Sequence, residues 1–185
     1  MPADLTIFAA KDLVFITAAV ALGAVAFALY RLPRREMASW VIAAGITGVM
    51  AEVFTQIGAA IYNDPRPFAL GHFHPLVAHA ADNGFPSDHA LLAAIVVVCV
   101  VFVRFWLAVV VVAILGALVD WGRVGAGIHH PIDVIGSSVF VAIGALIAIA
   151  VTPFVFERIS PYLPRALSES DPLSTWRRPS TSSRP

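Results

Sequence analysis

From Leu91 to Val119 the chain is apolar, interrupted only at Arg104 and its neighbours Phe105 and Trp106, and comparable apolar blocks run over 13–30, 38–62 and 132–155. Runs of this length suit a bilayer, whose hydrocarbon core of about 30 Å takes about 20 residues of helix. The composition agrees, since 59% hydrophobic and 13% charged residues in a chain of 185 fit neither a soluble globular domain nor a disordered one. The formal net charge is zero, and no nucleic-acid partner is expected.

The 91–119 block has no Gly or Pro marking a turn near Arg104. One helix from Ser87 to Arg123 would nevertheless be about 55 Å long, and it would strand an arginine in mid-membrane at a cost of several kcal/mol. Two shorter helices, with Arg104 and Trp106 at the interface, satisfy both constraints. The expected spans are therefore Leu13 to Tyr30, Ala38 to Tyr62, His89 to Val103, Phe105 to Trp121 and Ile132 to Val155. The fold class is all-α, a polytopic membrane helix bundle of about five spans without internal repeats.

Asp4, Lys11 and Asp12 precede an apolar run longer than a signal-peptide core, and no small-residue cleavage site follows, so the first block reads as a retained span. Cys99 is the single cysteine, lies within the third span and reads as a small core residue. From Pro161 the chain turns rich in Pro, Ser and Arg and lacks the apolar content to pack. The expected organisation is a transmembrane domain over 1–157 and a flexible cytoplasmic tail over 158–185.

Five spans put Arg31, Arg34, Arg35, Arg104, Arg158, Arg165, Arg177, Arg178 and Arg184 on one side, which the positive-inside rule makes cytoplasmic. The other side carries only Lys11, Arg66 and Arg123, together with almost every chemically versatile residue, including Asp64, His72, His74, His79, Ser87, Asp88, His89, His129, His130 and Asp133. Arginines on the face that the rule leaves poor in positive charge suggest an anion nearby.

Three short segments meet on that face: YNDPRPF from Tyr62, PSDH from Pro86, and GRVGAGIHHPID from Gly122. Guanidinium forks match phosphate oxygens, so Arg66 and Arg123 can clamp one phosphoryl group. Ser87 suits an N-cap, where free N–H groups and the helix dipole favour an anion. Asp133, in the first turn of a helix opened by Pro131, can reach back to His129 and fix its tautomer, leaving the other ring nitrogen as a nucleophile. His89, with an unperturbed value near 6.5, can protonate a leaving oxygen.

Arg66-Pro67, the Pro-Ser-x-His of Pro86 to His89, and the Arg-x5-His-x3-Asp of Arg123 to Asp133 resemble the three signature motifs of the type 2 phosphatidic acid phosphatase superfamily. The FPSDH form, with Asp88 where many members carry glycine, and the PRPF of Pro65 to Phe68 most resemble its bacitracin-resistance type of undecaprenyl-diphosphate phosphatase. The resemblance implies His129 as nucleophile forming a phosphohistidine, Asp133 orienting it and His89 as general acid. Arg66, Ser87 and Arg123 would bind phosphate, with Asp88 grouped beside them at the helix start. It also implies a metal-independent reaction with no cofactor, a lipid phosphate or diphosphate as substrate, and a bacterial plasma-membrane location with the site facing outside.

Two positions depart from the family pattern. The lysine that usually precedes the first-motif arginine by seven residues is Ala59 here, and Lys11, the only lysine, is a candidate substitute. The serine that often precedes the third-motif arginine is Gly122, which removes a hydroxyl donor. Other readings stay open: a broader phosphatase of phosphatidic acid or phosphatidylglycerol phosphate, or a lipid-phosphate binder or transporter without catalysis. Ser87 and His89 can serve only as a helix start, His130 as a cap, and His72, His74 and His79 as a solvated or substrate-facing loop. Glu52 is costly in mid-span unless partnered, and Asp120 reads as support for an arginine or as a solvated helix end.

Overall fold

In the computed structural model, which describes residues 2–31, 34–71 and 74–163, every expected span is a helix. Among the described residues six helices follow in order: α1 Ala3–Lys11, α2 Leu13–Arg31, α3 Arg34–Ile61, α4 Asp88–Phe102, α5 Trp106–Gly125 and α6 Pro131–Ile159, with short 3-10 turns at Pro67–Leu70 and Ser160–Tyr162. No strand occurs among the described residues. Among the described residues four helices are long and apolar enough to cross a membrane, namely α2, α5, Glu36–Ile61 of α3, and α6 with the turn that follows it. α4 has 15 residues, about 22 Å of helix, the short length expected of it and less than the roughly 17 residues that cross the hydrocarbon core unaided.

The limits of α4 have local causes. Pro86 and Ser87 precede its first turn, and Arg104 ends its run in a left-handed conformation with φ 57°, which costs a non-glycine residue about 1–2 kcal/mol. That cost is smaller than holding the guanidinium in mid-membrane, so the break falls at the position the charge argument selects. α1 is the element the apolar pattern does not announce. It is a nine-residue helix whose small buried side chains Thr6, Ala9 and Ala10 let it lie against α5.

Packing depends on small residues, as expected where lipid removes the hydrophobic drive between helices and close backbone approach supplies the attraction. A Cβ on Gly144 of α6 would sit 2.9 Å from the Thr47 carbonyl oxygen of α3, and one on Gly122 of α5 would sit 2.7 Å from the Ala10 nitrogen of α1. Large apolar side chains point outward instead, with Leu22, Leu107 and Phe154 each 70–71% exposed. Such a surface is tenable only against hydrocarbon. Ala21, Val25 and Ala28 of α2 meet Val100, Val103, Ala108 and Val112 of α4 and α5 near the arginine-rich end, where the Trp40 indole donates to the Cys99 carbonyl at 3.2 Å.

One sequence expectation resolves here. Glu52 is partnered within its own helix, accepting a 2.7 Å bond from Gln56 Nε2. The proposed domain boundary at 158 falls inside α6, which continues to Ile159. The rest of that tail from residue 164 lies outside the described residues, as does His72.

Candidate active site

The end of the bundle opposite the Arg104 turn gathers the exit of α3, the 64–87 connection, the start of α4, the end of α5, the start of α6 and the end of α1. Asn83 organises the connection. Its Oδ1 accepts from the backbone N–H of Asp64 (2.9 Å) and of Phe85 (3.0 Å), while its Nδ2 donates to the Tyr62 carbonyl (3.0 Å) and the Ala59 carbonyl (3.3 Å). One amide thus satisfies carbonyls that the end of α3 leaves without helical partners. Pro65 and Asn83 also form an antiparallel backbone bridge, flanked by the Gly84 N–H donating to the Asp64 carbonyl at 2.8 Å.

Arg66 follows directly and is buried. Its Nε donates to Asp82 Oδ1 at 2.6 Å, and its Nη1 donates to the Ile128 carbonyl at 2.9 Å and to His129 Nε2 at 3.2 Å. Arg123, in the last turn of α5 and also buried, donates from Nη1 to the Ala10 carbonyl at 3.1 Å and from Nη2 to the same His129 Nε2 at 3.1 Å. Arginine has donors only, so Nε2 must carry the lone pair. The proton therefore sits on Nδ1, which donates to Asp133 Oδ2 at 3.2 Å. Asp133 is fully buried, and the same oxygen takes the His130 backbone N–H at 2.8 Å.

The electrostatics suit an anion. Two buried guanidinium groups converge on one neutral nitrogen. Of the two, only Arg66 has a carboxylate within ion-pair distance among the described residues, and that Asp82 is largely exposed. Unpaired buried charge is costly, and a phosphate between the arginines would relieve it. Burial lowers the pKa of His129 from its ordinary value. The Asp133 hydrogen bond opposes that effect, and Arg123 and Arg66 add to it. His79 stands edge-on to His129, ring centroids 6.3 Å apart, and is lowered by burial and by Arg66. The Arg66 hydrogen bond holds Asp82 below the usual carboxylate range.

The structure brings Arg66, Arg123, His129 and Asp133 into direct contact. Ser87 occupies the N-cap position of α4 and is fully buried, but its hydroxyl makes no cap bond and has no hydrogen-bond partner among the described residues. The N–H of Ser87 is fixed instead by Ser137 Oγ at 3.0 Å. His89, half-buried in the first turn of α4, lies within electrostatic reach of Arg123, Asp88, His129 and His79. Asp88 is exposed. Lys11 is exposed at the end of α1, and it is the Ala10 carbonyl, not the lysine, that joins this helix to the cluster.

His130 caps α6 as expected, and its Nδ1 also pairs with Asp64 Oδ2 at 2.8 Å. Asp64, His130 and Asp133 have donor atoms within 4.8 Å of one another. They are the described group that could hold a cation, although His130 already binds both carboxylates. Asp82, Asn83, Ser137 and the Asp64 partner of His130 were not identified as functional from the sequence. The Asp-Asn-Gly run at 82–84 carries turn chemistry that marks it as a structured connection, but turn chemistry names no partner.

Comparison with known proteins gives matches over the same region. The family model described as PAP2 superfamily matches residues 39–160. The undecaprenyl-diphosphatase BcrC of Bacillus subtilis (strain 168) is 33% identical over 153 residues, which cover 82% of this chain and 75% of that protein. A protein of Bacillus licheniformis named bacitracin transport permease protein BcrC is 33% identical over 143 residues, 74% of this chain and 63% of that protein. No solved structure matches the chain.

Proposed function

The chain belongs to the PAP2 superfamily, and from that premise we propose that it is a membrane lipid phosphatase that hydrolyses undecaprenyl diphosphate to undecaprenyl phosphate and inorganic phosphate. The observation that carries this reading is the His129 imidazole. Its Nε2 lone pair is aimed between Arg66 and Arg123 at 3.2 and 3.1 Å, and its Nδ1 proton is held by Asp133. The choice of a prenyl diphosphate over a glycerolipid phosphate draws on the name of the Bacillus subtilis relative and on the FPSDH and PRPF forms.

In the proposed reaction the terminal phosphoryl oxygens replace His129 as acceptors for the two guanidinium groups, which frees Nε2 for attack in line with the departing oxygen. The Nε2–P bond forms as the P–O bond to undecaprenyl phosphate breaks, and His89 gives its proton to that leaving oxygen. Water then attacks the phosphohistidine, His89 takes the proton back, and phosphate leaves. Charge on the transferring group is met by Arg66, Arg123, the Ser87 hydroxyl and the N–H groups opening α4. Asp88 sits at the same helix start, where the dipole favours its carboxylate. The reaction needs no metal, and the site faces the outside of a bacterial plasma membrane.

Phosphate release from undecaprenyl diphosphate by the purified protein, with EDTA present, tests the reading. His129→Ala is expected to reduce turnover by about a thousandfold or more, since removing a covalent nucleophile leaves only binding and electrostatic effects. Full activity in that variant overturns the mechanism.

Three observations favour a second reading, a lipid-phosphate carrier without chemistry: the first-motif lysine is absent, Lys11 is exposed at the end of α1, and one relative is named a transport permease. Tight lipid binding with no phosphate release in the same assay decides for that reading.

A further inference from the structure

His79 has no task in the reaction proposed above, yet it stands against the nucleophile. It belongs to a short arch, Ala78-His79-Ala80-Ala81, all of it exposed. Its three neighbours there carry only methyl groups, so His79 is the residue of the arch that can reach a substrate.

Both feet of the arch are fixed to the site. On one side the Leu76 N–H donates to the Ala126 carbonyl at 3.0 Å, and Val77 packs against Ala10, Ala126 and Ile128. On the other, Asp82 accepts from Arg66 Nε at 2.6 Å, and Asn83 is tied to the Tyr62 and Ala59 carbonyls. Ile128 precedes His129, and its carbonyl takes Arg66 Nη1. The same segments that hold the site residues therefore hold His79 over them.

The His79 and His129 rings meet edge-on, with 77° between their planes and centroids 6.3 Å apart. His79 is exposed and His129 buried, so His79 stands on the outer side of the nucleophile. It feels the charges of Arg66, Arg123 and Asp82, and His89 feels the charge of His79. The four groups assigned to phosphate and its transfer, Arg66, Arg123, His89 and His129, thus all lie within electrostatic or ring contact of this one imidazole. Its own bonding is slight: Nδ1 lies 3.4 Å from the Ala80 carbonyl, at the long limit of a hydrogen bond, and no described residue bonds Nε2.

A diphosphate ester brings more charge than the arginine pair can meet. In the proposed reaction its terminal phosphate takes Arg66, Arg123 and the start of α4. The inner phosphate, joined through the leaving oxygen, stays outside them. Asp82 and Asp88 are exposed at this mouth and repel it. An imidazole can bond it in either state, accepting from a protonated phosphate oxygen or donating to an ionised one. Burial and Arg66 disfavour the charged form of His79, and a phosphate between the arginines offsets the second of these effects.

We propose that His79 is a specificity-determining residue that binds the inner phosphate of a diphosphate ester, so that the site prefers diphosphates to monophosphates. This rests on the phosphatase reading for the chemistry at His129. A monophosphate ester fills the arginine pocket and leaves His79 without a partner.

The test compares the wild type with His79→Ala and with His79→Gln, whose amide keeps a donor at about the reach of Nε2. Turnover is measured on farnesyl diphosphate and farnesyl phosphate, which share one tail. Affinity without turnover is measured for methylenediphosphonate and for inorganic phosphate. His79→Ala is expected to raise the diphosphate KM about tenfold, the loss of one hydrogen bond to a charged group, with kcat within about twofold. Methylenediphosphonate affinity is expected to fall in parallel, while phosphate affinity and the monophosphate kinetics hold. His79→Gln is expected to recover most of both losses.

An unchanged diphosphate KM and diphosphonate affinity in His79→Ala overturns the proposal. An equal loss for phosphate and the monophosphate also overturns it, because that assigns His79 to the terminal pocket or the fold. A fall in kcat alone does the same by assigning His79 to the chemistry, and a glutamine variant no better than alanine removes the hydrogen bond as the source of the preference. Wild-type protein that binds methylenediphosphonate more tightly than phosphate through His79, yet releases phosphate from neither ester, overturns the phosphatase reading while the His79 contact stands.

Discussion

In the proposed mechanism, His129 is prepared for nucleophilic chemistry without being strongly basic. It is held neutral by burial and by two neighbouring cations, and Asp133 selects which nitrogen keeps the proton. The direction of the shift fixes a pH dependence. A histidine whose protonated form is disfavoured keeps its lone pair below its ordinary 6.5, and loses activity only as pH falls through the lowered value. The acid limb of kcat/KM is therefore expected below pH 6.5, while His89, which must hold the proton it gives to the leaving oxygen and whose protonated form burial and Arg123 disfavour, sets the alkaline side. A pH profile measures it, and an acid limb above 6.5 would show that the imidazole is not held in this way. Residue spacing was enough to pair His129 with Asp133, because four residues across a helix start is a local geometry. The Asp82 and Asn83 contacts to the Arg66 segment were not legible, because they depend on how a loop folds back over it.

At the scale of elements, α1 changes what the third motif requires. Gly122 stands where relatives of this superfamily often carry serine, and sequence reasoning counts the difference as a lost hydroxyl. The structure adds that the α1 backbone lies against this position, 2.7 Å from where a Cβ would be. The same α1 segment supplies the Ala10 carbonyl that holds Arg123. Gly122→Ser is therefore expected to push α1 away, costing about 1–3 kcal/mol as overpacking and lowering phosphate release as Arg123 loses its anchor. Thermal unfolding in detergent alongside phosphate release checks this. Unchanged melting with unchanged activity would mean that α1 is not held against α5. No apolar periodicity announces so short a helix, and its small buried residues acquire meaning only from the surface they meet.

For the whole molecule, the bundle has two chemically different ends. The Arg31, Arg104 and Arg158 end is closed by an apolar cluster and the Trp40 bond, and the other end carries the buried arginine, histidine and aspartate groups. If the first end is cytoplasmic, as the charge bias requires, Leu70, half exposed beside the site, lies outside. A cysteine at position 70 in a Cys99→Ser background is expected to react with a membrane-impermeant thiol reagent added to intact cells. Reaction from the cytoplasmic side alone would reverse the orientation and remove the proposed extracellular site.

The sequence alone determined the membrane class, the positions of the five expected spans and the candidates for chemistry, since bilayer thickness and the cost of charge in lipid act on local runs and motif residues act at fixed short spacings. Only the tertiary structure decided what each candidate touches. Arg123 finds its acceptor 113 residues away at Ala10, Arg66 finds His129 across 63, and His130 finds Asp64 across 66. Contacts over such separations depend on which helix faces which, and in lipid that is set by where glycine and alanine allow backbones to approach.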